Sequence, residues 1–529
     1  MGRCNGKKKG RRRKVQGVNM GKSIMVQGTA SSVGKSVITA GICRLLKQDG
    51  YSVAPFKSQN MALNSYITAK GHEMGRAQVV QAEAAGIEPD VRMNPILLKP
   101  STDQKAQIIV NGVVYRNMSA SEYHLHKPAL RQMVQATYLE LASEVEYVVI
   151  EGAGSPAEIN LREGDLVNMG MAELSNSPVI LVGDIDRGGV FASLYGTVML
   201  LTPEERARVI GLVINKFRGD VTILEPGLKM IEDLVGIPVL GVLPYTDLKI
   251  EDEDSLAERF RHRHGNDKEL QVEILYLPHV SNFTDFHFLE AQEDVHVRYV
   301  MRGEAIGNPD LLILPGSKNT IEDLVYLHRT GLAEQILRHA RRGTQIIGIC
   351  GGYQMLGLQI SDPKGTESTV PNINGLGLLQ VETVFETVKT TTQARGRILT
   401  HQGELSGISN LEVSGYEIHM GKTTLLAGEK PFLQLTEVLG QHADVLDGAI
   451  NAQGNVFGTY LHGILDDHEF VRGILDSLRL KKGLGLYQGA NLSLSDLKER
   501  EYDRLAALIR KHVDWTRLKG LVDAWPGNR

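Results

Sequence analysis

The sequence is short of cysteine and aromatic residues and has no long apolar run. Its three cysteines, Cys4, Cys43 and Cys350, form no CxxC pair among 529 residues. A disulfide framework is therefore excluded, and a reducing cytoplasm is the expected compartment. No stretch of about 18 uninterrupted apolar residues occurs, so we expect no membrane-spanning helix. With 42% hydrophobic, 23% charged and 5% aromatic residues, the composition is typical of a globular chain and not of a disordered or fibrous one.

The length allows two to four domains at roughly 150 residues each. Positive charge is concentrated at the start: residues 1–22 hold nine Lys/Arg and no acid, although the formal net charge is −4. Such a run can contact nucleic acid or a membrane surface, but it lacks the apolar region of a signal peptide. We expect residues 1–22 to be a disordered tail with no nucleic-acid or membrane partner.

A glycine-rich loop follows the first strand-like segment. Residues 23–27 read as a strand, residues 28–36 have the sequence GTASSVGKS, and a helical pattern follows. Gly28 and Gly34 let backbone N–H groups converge on phosphate oxygens, Lys35 supplies a cation and the Ser36 hydroxyl can ligate Mg²⁺. Five residues separate the glycines, one more than in the strict phosphate-loop pattern. The segment predicts a nucleotide site.

Apolar runs that end in polar residues recur through residues 23–250, as expected for buried parallel strands that stop at a ligand-bearing edge. One run ends at Glu151, which could hold a metal ion or could be a turn carboxylate. Others end at Asp184 and at Asn215, whose amide could read the base edge of a nucleotide or could belong to a turn. The βαβα order predicts an α/β fold with a doubly wound parallel sheet.

A second strand-and-helix pattern occupies residues 271–480, after a charged linker at 251–270. There a predicted strand runs into GICGGYQ at residues 348–354 and then into a helix. This turn would expose Cys350 at a helix N-terminus, where the thiolate is favoured. The N–H of Gly351 and one from the loop at Gly316 and Ser317 would form an oxyanion hole. The pattern predicts a second doubly wound domain with a cysteine nucleophile.

The cysteine needs a general base, and His462 is the leading candidate because it follows a late apolar strand. His419 is less certain, since a structural histidine in a strand is the favoured interpretation. Residues 481–529 read as helices whose apolar positions pack as core.

Several motifs together resemble known families. The Cys350 segment with a late histidine resembles the triad glutamine amidotransferases, a class I amidotransferase-like fold. The phosphate loop and the EGAG sequence that begins at Glu151 resemble the dethiobiotin-synthetase type of ATPase. Both modules, in this order, closely match the cobyric acid synthase family. The match runs from about residue 23 to beyond His462, and three further segments support it: residues 183–191, 277–286 and 415–419.

The resemblance implies a glutamine-hydrolysing carbon–nitrogen ligase of cobalamin biosynthesis. Its reaction would be ATP- and glutamine-dependent amidation of the b, d, e and g carboxylates of adenosylated cobyrinic acid a,c-diamide. Cys350 would form a glutamyl thioester, His462 would act as base, and Gln354 would help to seat glutamine. Ammonia would then need a sheltered route to the other half.

In the first half, the resemblance implies an ATP site that turns a carboxylate into an acyl phosphate. Lys35 and Ser36 would bind phosphate, Ser36 and Glu151 would hold Mg²⁺, and Lys57 would neutralise charge between phosphate and carboxylate. The corrinoid is a substrate and not a cofactor, because the cobalt-ligating pattern DxHxxG is absent. Cations that could face its carboxylates are Arg76, Arg92, Lys99 and Lys105.

Two questions stay open. The third member of the Cys/His site is undefined, because Ile464 stands where triad amidotransferases carry a carboxylate; Glu417, Asp466 or no residue at all could orient His462. The function also has alternatives. Cobyrinic acid a,c-diamide synthase shares both modules, and a phosphate-loop switch ATPase with an inactive amidotransferase-like domain is a different class. The switch is disfavoured because Thr29, Ala30 and Ser31 stand where such switches use an extra lysine.

Overall fold

The computed structural model describes residues 20–102, 105–250, 268–400, 403–489 and 492–528. In these residues the strands are β1 (Lys22–Gly28), β2 (Val53–Phe56), β3 (Gln59–Met61), β4 (Ser65–Ile67), β5 (Glu73–Gly75), β6 (Ile96–Thr102), β7 (Lys105–Val110), β8 (Val113–Ser119), β9 (Tyr147–Glu151), β10 (Val179–Asp184), β11 (Val209–Phe217), β12 (Val239–Pro244), β13 (Leu270–Leu275), β14 (Val295–Val300), β15 (Leu311–Leu314), β16 (Gln345–Ile349), β17 (Gln359–Ser361), β18 (Asn372–Asn374), β19 (Val381–Ile398), β20 (Glu412–Leu425), β21 (Leu433–Val438), β22 (Gln441–Asp447), β23 (Ala449–Ile450) and β24 (Val456–Thr459).

The α-helices of the same residues are α1 (Lys35–Gln48), α2 (Arg76–Ala85), α3 (Ala120–Ala142), α4 (Met169–Leu174), α5 (Val190–Leu200), α6 (Pro203–Arg206), α7 (Val221–Val235), α8 (His287–Glu290), α9 (Thr320–Thr330), α10 (Leu332–Arg341), α11 (Gly351–Leu356), α12 (His468–Lys481), α13 (Leu494–His512) and α14 (Trp515–Ala524). Short 3₁₀ turns occur at Val91–Met93, Ile159–Leu161, Phe283–Phe286, Gly403–Ile408, Ile464–Asp466 and Pro526–Asn528.

The first half is built on a parallel sheet with the strand order β12-β11-β10-β1-β9-β2. Strands β9 and β10 are buried along their whole length, because helices cover both faces of such a sheet. The predicted doubly wound sheet is confirmed. Strand β1 lies near its centre, so the loop after β1, the end of β9 and the end of β10 meet at one edge. This edge carries the predicted nucleotide site.

The phosphate loop leads into α1 at Gly34, where any other residue would be strained. Gly34 has a φ of +99° and begins the helix. A Cβ on Gly34 would lie 2.2 Å from the Asn215 side-chain nitrogen. Left-handed backbone and close approach both require glycine here. The loop is therefore held in shape by its own sequence and by the neighbouring β11.

The second half is built on another sheet, with the strand order β14-β13-β15-β16-β24-β23. All of its neighbouring pairs are parallel except β23 with β24. This is the second predicted α/β sheet. A further sheet has the order β18-β17-β19-β21-β22, and the 18-residue β19 also pairs with the 14-residue β20. The ribbon of β19 and β20 reaches the first half, where both strands contact β4.

The C-terminal helices return to the first half. α13 packs on α1, and its buried Tyr502, Leu505 and Ile509 join the apolar core around that helix. At the edge of this contact Arg44 forms ion pairs of 2.7 Å with Glu499 and Asp503. The predicted helices and their core packing are confirmed. The core that they complete belongs to the nucleotide-binding half, although the chain reaches it from the second half.

Two earlier expectations fall partly outside the described residues. The basic run lies within residues 1–19, and most of the charged linker lies within residues 251–267. Among the helices of the described ranges, none combines the length and apolarity needed to cross a membrane.

Candidate active site

Cys350 lies on a strained turn between the central strand β16 and α11. Its φ and ψ are +51° and −105°, a conformation that costs of order 1–3 kcal/mol for a residue with a side chain. Gly352, two residues later, comes so close to β15 that a Cβ there would lie 2.0 Å from the Leu314 carbonyl oxygen. The side chain of Cys350 is nevertheless almost buried, with 6% of the residue exposed. This is the predicted nucleophile elbow.

His462 lies beside Cys350, just after the neighbouring strand β24, and is held by an aspartate. Its Nδ1 is 2.7 Å from Asp285 Oδ2, and the N–H of Gly463 donates to Asp285 Oδ1 at 3.2 Å. The His462 ring stacks on Tyr416 with centroids 5.4 Å apart, and the Cys350 thiol donates to the Ile418 carbonyl at 3.7 Å. The structure thus brings together a cysteine, a histidine and a carboxylate in the order of a catalytic triad.

Asp285 corrects the earlier hypotheses for the third member. Glu417 accepts a hydrogen bond from Thr392 at 2.9 Å and lies 3.7 Å from His419 Nε2, so it faces the wrong histidine. Asp466 lies in the turn after His462, where its N–H donates to the Gly463 carbonyl. Neither occupies the Nδ1 side of His462. From the sequence, Asp285 stands out only as a member of the family-like segment 277–286, and no local signal links it to a histidine 177 residues away.

The neighbours of His462 raise the pKa of its imidazole. Burial by itself lowers the pKa of His462, but the charges of Asp285 and Cys350 and hydrogen bonds to both raise it to about 10. The raised pKa favours the protonated imidazole at neutral pH. A buried imidazolium between a carboxylate and a thiolate is the arrangement that activates a cysteine nucleophile.

The predicted oxyanion loop lies against the elbow. A Cβ on Gly316 would meet His462 Cε1 at 2.9 Å, and a Cβ on Gly351 would meet the backbone nitrogen of Ser317 at 2.9 Å. The N–H groups of Gly351, at the start of α11, and of Ser317 therefore lie near one another beside the thiol. That they bind the oxyanion of an acyl intermediate stays a prediction.

A cavity opens beside Cys350, and residues of both halves line it. Gln354 forms part of its wall: its Oε1 accepts from the Thr320 hydroxyl and its Nε2 donates to the Tyr460 hydroxyl, both at 3.1 Å. His419, the uncertain histidine, lies in the same wall and stacks on Tyr460. The charged lining residues are Lys99, Lys318, Glu367 and Lys389.

Burial shifts the charges in this cavity toward neutrality. It raises the pKa of Glu367 to about 7, against the opposing effect of Lys318, and it lowers the pKa of Lys389 to about 8. Lys389 keeps an ion pair of 2.6 Å with Glu73 of the first half. A cavity with carboxylate and ammonium groups at its wall can accept a small zwitterion.

In the first half, Glu151 is the centre of a buried polar cluster. Its Oε1 is 2.9 Å from Lys57 Nζ and accepts from the Ser36 hydroxyl at 2.8 Å, while its Oε2 accepts from Gln81 at 2.5 Å and from Gln78 at 3.3 Å. Burial alone would raise the pKa of Glu151, but the Lys57 charge and these hydrogen bonds hold it below its usual value. The sequence predicted Glu151, Ser36 and Lys57 separately; the two glutamines on α2 were missed.

The remaining nucleotide-site candidates hold the phosphate loop. Lys35 donates from Nζ to the carbonyls of Ala30 at 2.8 Å and Gly154 at 3.1 Å. Asn215 donates from its amide to the Val33 carbonyl at 2.9 Å, so in this structure its side chain supports the loop. A carboxylate and a hydroxyl in contact are hard oxygen ligands that fit Mg²⁺, which needs few protein ligands when nucleotide phosphates supply the others.

The cations considered for a corrinoid are engaged within the chain where their side chains are described. Lys99 forms a buried ion pair of 2.8 Å with Glu73. Arg92 forms ion pairs with Asp90 and with Glu144. Arg76 is buried with its guanidinium over the Tyr66 ring. These contacts explain the residues as parts of the fold and leave the corrinoid contacts undefined.

Comparison with known proteins matches both halves. Residues 24–256 match the CobQ/CobB/MinD/ParA nucleotide binding domain, and residues 271–470 match the CobB/CobQ-like glutamine amidotransferase domain. The chain is 59% identical over 491 residues to cobyric acid synthase of Alkaliphilus metalliredigens, covering 93% of this chain and 98% of that protein. It is 54% identical over 505 residues to cobyric acid synthase of Yersinia enterocolitica, covering 95% and 98%.

The chain belongs to the cobyric acid synthase family. It is therefore an enzyme, a glutamine-hydrolysing ligase with a nucleotide-binding half and an amidotransferase half. The family resemblance stated from the sequence is confirmed, as is the pair of α/β folds. Membership of the cobyric acid synthase family also disfavours the switch ATPase, because no amidation is expected of such a protein.

Proposed function

We propose that the chain amidates the b, d, e and g side-chain carboxylates of adenosylated cobyrinic acid a,c-diamide, with Mg·ATP and glutamine as the other substrates. The observation that carries the proposal is the triad of Cys350, His462 and Asp285, whose cysteine lines a cavity to which both halves contribute residues. Membership of the cobyric acid synthase family supports a corrinoid as the substrate, and the geometry of the two sites supports the reaction steps.

In the amidotransferase half, the Cys350 thiolate attacks the side-chain amide carbon of glutamine. The His462 imidazolium, with its raised pKa, donates the proton that the leaving ammonia needs. Asp285 keeps the proton-bearing Nδ1 of His462 turned toward itself, so that the other ring nitrogen faces the sulfur. Water then hydrolyses the thioester to glutamate, and His462 accepts a proton from that water.

In the nucleotide-binding half, a carboxylate of the corrinoid displaces ADP from the terminal phosphate of ATP. The backbone of residues 28–36 and Lys35 hold the phosphates, and Lys57 compensates negative charge between phosphate and carboxylate. Ser36 and Glu151 are the residues that would hold Mg²⁺, which neutralises phosphate charge when bound. Ammonia attacks the resulting acyl phosphate, and the amide forms as phosphate leaves.

Ammonia has to reach the second reaction without becoming ammonium. The cavity at Cys350 supports a sheltered route, because Lys99 of the nucleotide-binding half lies in its wall. Behind the wall, Lys389 and Lys99 both pair with the buried Glu73. Polar groups of both halves therefore meet at this cavity, and the proposed route carries ammonia past them without entry into bulk water.

The proposal is tested by mass spectrometry of adenosylated cobyrinic acid a,c-diamide incubated with the protein, Mg·ATP and amide-¹⁵N glutamine. Four successive labelled amidations are expected. Two amidations of cobyrinic acid with none of the diamide would instead identify an a,c-diamide synthase. No mass change on either corrinoid, together with rapid ATP turnover that does not need glutamine, would support the switch ATPase.

A further inference from the structure

Two asparagines join the halves at the turn that carries Asp285. The N–H of Ser65 in the nucleotide-binding half donates to Asn282 Oδ1, and the N–H of Phe283 in the amidotransferase half donates to Asn64 Oδ1, each at 3.2 Å. At most 2% of any of these four residues is exposed. The two halves therefore exchange hydrogen bonds across a buried contact. We call this pair of bonds the asparagine clasp.

The clasp replaces an ordinary helix cap. An asparagine just before a helical turn normally accepts a hydrogen bond from the first N–H groups of that turn. Asn282 precedes the turn Phe283–Phe286, but its side chain does not cap it, and its backbone is left-handed with φ +53°. The N–H of Phe283 is capped by Asn64 instead. The first donor of the turn is thus satisfied by the other half of the molecule.

This cap acts on the residue that orients the catalytic base. Asp285 stands two positions after Phe283 in the same single turn, and its N–H donates to the Asn282 carbonyl at 3.0 Å. A one-turn 3₁₀ segment has little stability of its own. If its first N–H lost its partner inside the protein, the turn would shift to find another one. The Asp285 carboxylate would then move relative to His462.

The same asparagine is tied to the nucleotide site. The carbonyl of Asn64 accepts from the N–H of Arg76, the first residue of α2, at 3.4 Å. Two turns of that helix carry Gln78 and Gln81, which donate to Glu151. A continuous set of hydrogen bonds and one helix therefore connects the Glu151 cluster with the turn of Asp285.

We propose that Asn64 is a positioning residue of the glutaminase triad, through which the nucleotide-binding half holds Asp285 against His462. The inference rests on the proposed glutaminase role of Cys350 and His462. Asn282 lines the Cys350 cavity, but Asn64 is not among the described residues that do. Its effect is on the turnover of bound glutamine and not on the binding of glutamine.

The test compares Asn64→Ala with Asn64→Asp in the full-length protein, using glutamate release from glutamine. Asn64→Ala is expected to lower kcat about 10-fold, because small displacements of catalytic groups are costly, with the KM for glutamine changed less than about 2-fold. The alkaline limb of the pH profile should move to lower pH, since His462 loses part of the Asp285 charge that raises its pKa. Asn64→Asp keeps an acceptor oxygen and should restore most of kcat.

The matched control is Asn455→Ala. Asn455 is also buried and donates to the carbonyls of Ala340 and Thr344, but it precedes β24, whereas His462 follows that strand. Its loss should lower the melting temperature and leave the pH profile unchanged. If Asn64→Ala does not fold, Asn64→Gln serves, since it keeps a buried amide but moves its oxygen by one methylene and should reproduce the shifted alkaline limb.

Wild-type kcat and an unshifted alkaline limb in the folded Asn64 variant would overturn the inference, as would an Asn64→Asp protein no better than Asn64→Ala. Failure of the proposed function looks different: the wild type would release no glutamate, or Cys350→Ala would release it at the wild-type rate.

Discussion

The two sites of this chain lie at corresponding edges of two parallel sheets, but their supports come from different places. The groups that contact Glu151 all belong to the nucleotide-binding half: Ser36, Lys57, Gln78 and Gln81. The triad has its three members in the amidotransferase half, yet Asn64 caps the turn of Asp285 and Lys99 completes the cavity. Dependence between the halves should therefore run mainly one way. The glutaminase should need the nucleotide-binding half more than ATP-dependent synthesis needs the triad.

Cys350→Ala is expected to give the largest difference between glutamine-dependent and ammonium-dependent amidation. Glutamine-dependent amidation should fall by about 10⁴-fold or more, because no nucleophile remains, while amidation with ammonium chloride at alkaline pH should stay within about 2-fold of wild type. Product formation with each nitrogen source, followed by mass spectrometry, measures both. Cys43→Ala is the control, since Cys43 is a buried residue of α1 and should leave both rates unchanged. Loss of the ammonium-dependent reaction in Cys350→Ala would contradict the expectation that synthesis does not need the triad.

Asp285→Asn should have the next largest effect, and only on the glutaminase. An amide can hold His462 in the wrong tautomer, so kcat for glutamine hydrolysis should fall about 10²–10⁴-fold. Glu417→Gln and Asp466→Asn are matched carboxylate-to-amide changes that should cost less than about 3-fold. Steady-state glutamate release distinguishes them. Equal losses in all three variants would contradict the assignment of Asp285.

The pH dependence of the glutaminase gives a second test of the contact between Asp285 and His462. A histidine whose pKa is raised on folding stabilises the native state at low pH, with the full contribution below its unfolded value. That contribution is lost as the pH rises toward about 10, the pKa of His462 in the folded protein. Wild-type glutaminase activity should therefore decline only near pH 10. The Asp285→Asn protein should decline at lower pH, and identical alkaline limbs would show that Asp285 does not set the charge of His462.

Glu151→Gln tests the other side of the comparison. It removes the carboxylate that contacts Ser36 and Lys57, so synthesis with glutamine and synthesis with ammonium should both fall about 10²-fold, a typical loss for one charged active-site group. Glu158→Gln, an exposed carboxylate seven residues later, is the control. Both rates are read from amide formation under saturating ATP. A loss confined to the glutamine-dependent reaction would show that Glu151 acts on glutamine hydrolysis and not at the nucleotide site.

The smallest effect on chemistry is expected at the boundary. Lys389→Met removes one of the two cations that pair with Glu73 and leaves the Glu73–Lys99 ion pair in place, so stability should fall by only about 1 kcal/mol. The ratio of glutamate released to amide formed should rise about 2- to 5-fold if ammonia escapes there. The double variant Lys389→Met/Glu73→Gln leaves Lys99 buried without its carboxylate and should therefore have a lower melting temperature than the single variant. An unchanged ratio in a folded Lys389→Met protein would show that ammonia does not pass this contact.

Local patterns predicted the parts of both sites that one strand and its following turn create. The phosphate loop with Lys35 and the elbow with Cys350 were found because their glycines, reactive residues and helices are adjacent in the sequence. His462 was found for a similar reason, as a polar residue at the end of an apolar strand. The two parallel sheets followed from apolar runs at βα spacing.

The parts that the sequence did not predict depend on tertiary contacts. Asp285 meets His462 only because β13 and β24 lie in one sheet, with two other strands between them. The wrong candidates, Glu417 and Asp466, were closer to His462 along the chain. The helical pattern around Tyr502 was visible, but nothing in it indicated that this helix packs against α1, which begins more than 450 residues earlier. Asn64 carries no local signal, because the turn that it caps belongs to the other half.

The most direct measurement is a competition between two nitrogen sources in the wild-type protein. The protein is incubated at neutral pH with adenosylated cobyrinic acid a,c-diamide, Mg·ATP, amide-¹⁵N glutamine and an excess of unlabelled ammonium. The ¹⁵N content of the product is then measured by mass spectrometry. If the Cys350 site feeds the nucleotide site through the sheltered boundary, the product gains four amides that are almost entirely ¹⁵N. A product labelled in proportion to the free ammonium pool would contradict the account, because ammonia would then reach the acyl phosphate through bulk solvent.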